Sequence, residues 1–114
     1  MDTGFRLEVR TEGAATVIAV GGELDLASSP ALKEQLERIS GPETELLVID
    51  LRELEFMDST GLSIIVGAHN RLAEQGCHVS IVRGTQQVQR LLDLTGVAER
   101  MRIVDTPEEA LNGG

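Results

Sequence analysis

The sequence predicts an α/β fold: one mixed sheet of four to five strands, with helices packed mainly on one of its sides. Three observations carry this expectation. Phe5, Leu7 and Val9 alternate with Arg6, Glu8 and Arg10, the two-residue period of a strand with one wet face. The unbroken apolar run Leu46-Leu47-Val48-Ile49 suits a strand covered on both faces. Further on, apolar residues recur at helical spacing, and strands separated by helices of this length pair in parallel through right-handed crossovers. At 114 residues the chain has the size of one domain, expected to span 1–114 with its core from about 5 to 111.

The elements follow in order. Glu12-Gly13 is read as a turn, and Thr16 to Val20 as the returning strand of a hairpin. Gly21-Gly22-Glu23-Leu24-Asp25 is read as a loop, its paired glycines letting the chain leave the sheet sharply. Ser29-Pro30 opens a helix, serine as cap and proline in the first turn. Leu32, Leu36 and Ile39 mark its buried face, and Ser40-Gly41-Pro42 stops it. Leu46 to Leu51 is the next strand. A long helix carries the stripe Leu62, Ile65, Val66, His69, Leu72 and Ala73, and Gly76 ends it.

His78 to Val82 is another strand, and Val88, Leu91 and Leu92 mark a helix that closes near Gly96. Met101 to Val104 reads as a short last strand. Thr106-Pro107-Glu108-Glu109 has the spacing of a capping box and begins a final short helix, after which Asn112-Gly113-Gly114 is expected to fray.

Composition removes several classes of function. Apolar residues make up 41% and charged residues 25% of the chain, a globular balance. No apolar run approaches the ~20 residues that span a bilayer, so membrane insertion is not expected. Met1-Asp2-Thr3-Gly4 lacks the basic and apolar regions of a signal peptide, and the lone Cys77 fits a reducing compartment; the expected location is the cytoplasm. The net charge of −9, with one lysine and nine scattered arginines, opposes direct binding of nucleic acid. With two phenylalanines and no Trp or Tyr, a platform for stacking bases is missing too. An acidic surface suits a basic patch on a protein partner.

The stretch most able to carry chemistry is Phe56-Met57-Asp58-Ser59-Thr60-Gly61, between the central strand and the long helix. A hydroxyl here sits at a helix N-terminus, where unpaired N–H groups and the helix dipole favour negative charge. The plainer reading is ordinary N-capping by Asp58 or Ser59. Thr60, Ser63, Ile64 and Gly67 project away from the apolar stripe and make an outer face that is partly apolar and open to close approach.

Other groupings are weaker. Asp25 with Asp58 is one imaginable acid/base pair, but scattered carboxylates are expected where there are 19 acidic residues. Cys77, His78 and His69 do not converge as metal ligands: adjacent strand residues point to opposite faces, and His69 lies in the stripe. Gly21-Gly22 lacks the spacing and the lysine of a phosphate-binding loop. No cofactor is expected.

Three motifs in order add a resemblance. Gly22-Glu23-Leu24-Asp25, then Leu54-Glu55-Phe56-Met57-Asp58-Ser59-Thr60-Gly61-Leu62, then Val88-Gln89-Arg90-Leu91-Leu92-Asp93-Leu94-Thr95-Gly96 together resemble the STAS domain, and within it the bacterial anti-sigma factor antagonists. The resemblance implies a sheet with helices mainly on one side. It implies that Ser59, directly after the aspartate, is phosphorylated by an anti-sigma factor serine kinase that brings ATP and magnesium. The unphosphorylated domain would bind that kinase and free a sigma factor, phosphorylation would end the binding, and a serine phosphatase would reset the switch. This makes the chain a kinase substrate rather than an enzyme.

The resemblance also places Glu23 and Asp25 near the docking surface, either in direct contact or as a solvated acidic turn. Asp58 orients the Ser59 hydroxyl, pairs with a basic partner residue, or only caps the helix; Thr60 is a second possible acceptor. Two other readings stand beside this one. The first is a STAS subunit of a stress-signalling or lipid-transport assembly. The second is a small acid/base hydrolase using Asp25 and Asp58.

Overall fold

The computed structural model describes residues 4–112; Met1 to Thr3 and the glycines of the expected frayed end, Gly113-Gly114, lie outside them. The strands are β1 (Arg6–Glu12), β2 (Ala15–Leu24), β3 (Leu46–Asp50), β4 (Leu54–Met57), β5 (His78–Val82) and β6 (Arg102–Val104). The helices are α1 (Ser29–Glu37), α2 (Ser59–Glu74), α3 (Gln86–Leu94) and α4 (Pro107–Leu111), with one 3₁₀ turn at Val97–Glu99. The main sheet runs β1-β2-β3-β5-β6, antiparallel between β1 and β2 and parallel elsewhere.

The hairpin closes with Glu12 opposite Ala15, so its turn is Gly13-Ala14, one residue later than expected. Gly13 takes the first turn position at φ 62°, a backbone region that side chains avoid. The parallel strands stack their apolar residues in register. Ile18, Ile49 and Ile81 line up on one face, and Val17 meets Val48 on the other.

That alternation divides the core. Leu32 and Leu36 of α1, Leu62, Ile65 and Leu72 of α2, and Val88 and Leu92 of α3 pack with Ile18, Leu47, Ile49 and Ile81. On the opposite face a smaller cluster joins Val17, Val48, Val82 and Val104 to Ala110 of α4. Three helices on one side and a one-turn helix on the other bear out the expected layering. Each fully buried Leu or Ile contributes ~1.5–3 kcal/mol relative to exposure.

The structure corrects five details. Gly21 to Leu24 is strand, because β2 continues through a register shift at Gly22–Glu23 and changes partner from β3 to β4. The ladder needs glycine there: Gly22 has φ +80° and its backbone lies against Gly4 and Phe5. β4, absent from the sequence reading, is a sixth strand that pairs with β2 in parallel. Ser29 is the first residue inside α1 and is buried; Ser28 holds the cap position. Ala73 is exposed and Ala68 is buried, since Ala73 lies one residue past Leu72 and has turned out of the stripe. Ile39 lies beyond the end of α1 but still packs on the core. The final helix is capped as expected, with Thr106 Oγ1 accepting from the Glu109 N–H at 3.1 Å.

Candidate functional site

The partner change in β2 builds the site. By carrying β2 past the end of β3, it brings Leu24 beside Met57 of β4, just before α2 begins. The Asp58 N–H donates to the Leu24 carbonyl at 3.1 Å, fixing the entry to α2. Asp58 is the N-cap, with extended φ −97° and ψ −177°. Its Oδ1 accepts from the Gly61 N–H at 3.0 Å, and its Oδ2 accepts from the Leu26 N–H at 3.1 Å. One carboxylate therefore caps the helix and ties down the loop after β2. Gly61 is required by the same approach: a Cβ there would meet Leu24 Cγ at 2.7 Å.

The tied loop has its own internal frame. Asp25 Oδ1 accepts from the N–H groups of Ala27 and Ser28, both at 3.0 Å. Ser28 Oγ accepts from the Asp25 N–H at 2.9 Å and lies 2.8 Å from the Glu23 carbonyl. The Ser28 N–H, foremost among these donors, holds the Asp25 carboxyl below its ordinary range, against a smaller opposing effect of desolvation. Asp25 is thus spent mainly on shaping the loop. Glu23 projects exposed from the end of β2, opposite Phe56.

Ser59 is the first residue of α2 and is exposed. Its hydroxyl makes no hydrogen bond among the described residues. Asp58 does not orient it, because both carboxylate oxygens go to backbone N–H groups elsewhere. Thr60, next along, is half-buried at the wall of a groove between α1 and α2. Ser63, Ile64 and Gly67 line the same groove, so four of the residues read as an outer face lie together. Lys33, Leu36, Glu37, Ala68 and Arg71 complete its walls, and Arg71 pins the end of α1 by donating to the Leu36 and Ile39 carbonyls at 2.7 and 3.3 Å.

Sequence reasoning missed Leu26. It is 73% exposed at the tip of the loop that Asp58 holds. The only local signal was an apolar residue out of phase between Asp25 and the start of α1. Phe56, 39% exposed on β4, is a second apolar neighbour that was read only as part of a motif.

The remaining candidates lie elsewhere. Cys77 is buried in the main core, and that burial pushes its thiol above the ordinary range, while His78 is exposed and His69 lies beside Asn70 on α2. Among the described residues, no three His, Cys, Asp or Glu side chains gather as a metal site. No helix there is long and apolar enough to cross a membrane.

The model of the STAS domain matches residues 6–110. The chain belongs to the STAS domain family. Its relatives there include the anti-sigma F factor antagonist of Paenibacillus polymyxa, 31% identical over 94% of this chain and 92% of that protein. The anti-sigma-B factor antagonist of Listeria monocytogenes is 35% identical over 84% of this chain and 83% of its own length. The crystal structure of an anti-sigma factor antagonist from Mycobacterium paratuberculosis superposes with a TM-score of 0.87 at 27% identity, covering 96% of this STAS chain and 92% of that one.

Proposed function

We propose that this STAS domain is an anti-sigma factor antagonist whose docking is switched at Ser59. Unphosphorylated, it binds an anti-sigma factor serine kinase in the cytoplasm and so releases a sigma factor. The kinase supplies ATP and magnesium, transfers phosphate to Ser59 Oγ, and the complex separates; a serine phosphatase restores the first state. The chain itself acts as a substrate and binding partner, not as a catalyst. The observation that carries this reading is the exposed, unengaged Ser59 hydroxyl at the start of α2, beside a groove lined by Thr60, Ser63, Ile64 and Gly67. Ser59 is favoured over Thr60 as acceptor because Thr60 is half-buried in the groove wall.

The physical effect is local. A phosphate adds about −1.5 to −2 charges next to Asp58 and within an acidic rim that includes Glu23 and Asp25. The rim and Asp58 suit a basic partner patch, with the groove and the exposed Leu26 supplying apolar contact. An unfavourable unit-charge contact at ~4 Å and an effective dielectric of ~20 is worth up to about 4 kcal/mol, or roughly a thousandfold in affinity. The free N–H groups of the first turn of α2 accommodate the phosphate in the separated domain, which lowers that ceiling.

The test is incubation of the domain with an active anti-sigma factor kinase, ATP and magnesium, followed by peptide mass spectrometry. Phosphate is expected on Ser59 and lost in Ser59→Ala, which should still bind the kinase. Ser59→Asp should weaken the complex by tenfold or more. Phosphate appearing on another residue while Ser59 stays unmodified, or equal binding by Ser59→Asp, overturns the proposal.

A further inference from the structure

We infer that the edge strand β1 is a self-complementary interface, through which two copies of the chain pair antiparallel about Val9 into one continuous sheet. The two edges of the main sheet are unlike. β6 has three residues, whereas β1 has seven, all exposed except the half-buried Leu7. β1 ends the strand order and pairs only with β2 among the described residues. In a hairpin closed by a two-residue turn, the closing pair is hydrogen-bonded and the pattern then alternates. With Glu12 opposite Ala15 closing the hairpin, the main-chain groups of Leu7, Val9 and Thr11 face away from β2. They form a row ready for a further strand.

The side chains say which strand. Arg6, Glu8, Arg10 and Glu12 stand on one face of β1, opposite Gly21, Ala19, Val17 and Ala15 of β2. No residue on that stretch of β2 supplies a charge across the ladder. Within β1, Arg10 reaches Glu12 at 3.1 Å, and Arg6 reaches Glu53 at 3.5 Å. A second β1 running antiparallel with Val9 opposite Val9 sets Arg6 against Glu12 and Glu8 against Arg10, each pair occurring twice by symmetry. A two-residue slip of the partner strand either way keeps the outward main-chain groups in phase but opposes Glu8 to Glu8 or Arg10 to Arg10, which the ladder disfavours. A row of one charge guards an edge against pairing; strict alternation of sign instead excludes the two neighbouring registers, and the register about Val9 pairs all four charged residues of each strand, twice as many as a four-residue slip leaves opposed. Val9, 44% exposed, then meets its own copy on the symmetry axis. None of these residues lies at the Ser59 site, so the inference stands apart from the phosphate switch.

The test is sedimentation equilibrium of the full chain over a concentration series. The mass is expected to rise from one chain toward two. Arg10→Glu, which opposes like charges at two positions, should weaken association by about tenfold. Adding Glu8→Arg to it restores opposite signs in the same register and should return association to near its native strength. Val9→Pro removes an outward N–H, a substitution that edge strands tolerate, and should abolish association. Circular dichroism checks that each variant folds. A single-chain mass throughout, association unchanged by Arg10→Glu, or no rescue in the double variant would overturn the inference.

Discussion

α1 and α2 each begin on a serine, and the two serines meet opposite surroundings. Ser29 opens α1 with 1% of its surface exposed and its hydroxyl without a partner, while the helix cap position is held by Ser28. Ser59 opens α2 in solvent, after an aspartate whose two oxygens anchor the helix and the neighbouring loop. Both are serines at a helix N-terminus, where an anion is favoured. What separates them is access and support. Asp58 takes over the capping role and leaves the Ser59 oxygen uncommitted, whereas Ser28 turns its oxygen to Asp25 and Glu23 and none of the α1 N–H groups.

Three substitutions sharpen or break that contrast. Gly61→Ala should have the largest effect, because the added methyl meets Leu24 at the point where α2 enters the site. A loss of ~1–3 kcal/mol is expected from this overpacking, beyond the ~1 kcal/mol that alanine gains in helix propensity. It is read as a lower urea midpoint; an unchanged midpoint would mean that the entry to α2 yields easily. Asp58→Ala removes the cap and the tie to Leu26 together and should cost about 1–2 kcal/mol. Faster amide exchange at both Gly61 and Leu26 would show that one carboxylate serves both; a change at only one would divide the two roles. Ser29→Ala should have the smallest effect, neutral or stabilising by up to ~1 kcal/mol, because it removes a buried hydroxyl that has no partner. It should leave phosphate transfer to Ser59 untouched, and a loss of transfer would mean that the two helix starts are coupled.

Much of this was legible locally. The alternation from Phe5 to Val9, the run at Leu46 and the stripe from Leu62 to Leu72 specify their elements because burial follows each period directly. The helix start at Asp58-Ser59 was legible from its capping residues, but which of the two is the cap was left open, and the structure gives that place to Asp58. β4 was not, since Leu54-Glu55-Phe56-Met57 is four residues long and exposes both middle ones; it is a strand because β2 lies beside it. The end of β2 was hidden by its glycines, which suggest a loop wherever no partner strand holds them. Leu26 could not be placed at the site from sequence, because it lies 32 residues from Asp58 and meets it only through that pairing. Ser29 was mistaken for a cap because Ser28-Ser29-Pro30 offers two serines, and the choice between them is made by Asp25 rather than by the helix.

The uncommitted oxygen of Ser59 has a consequence for how signals would pass through this domain. Since modifying it severs no internal bond, the two chemical forms should share one skeleton, with no spring to wind or release. Such a molecule behaves as a label rather than a lever. Its message is carried wholly by which neighbours tolerate the mark, and its memory lasts as long as the enzymes that write and erase it allow.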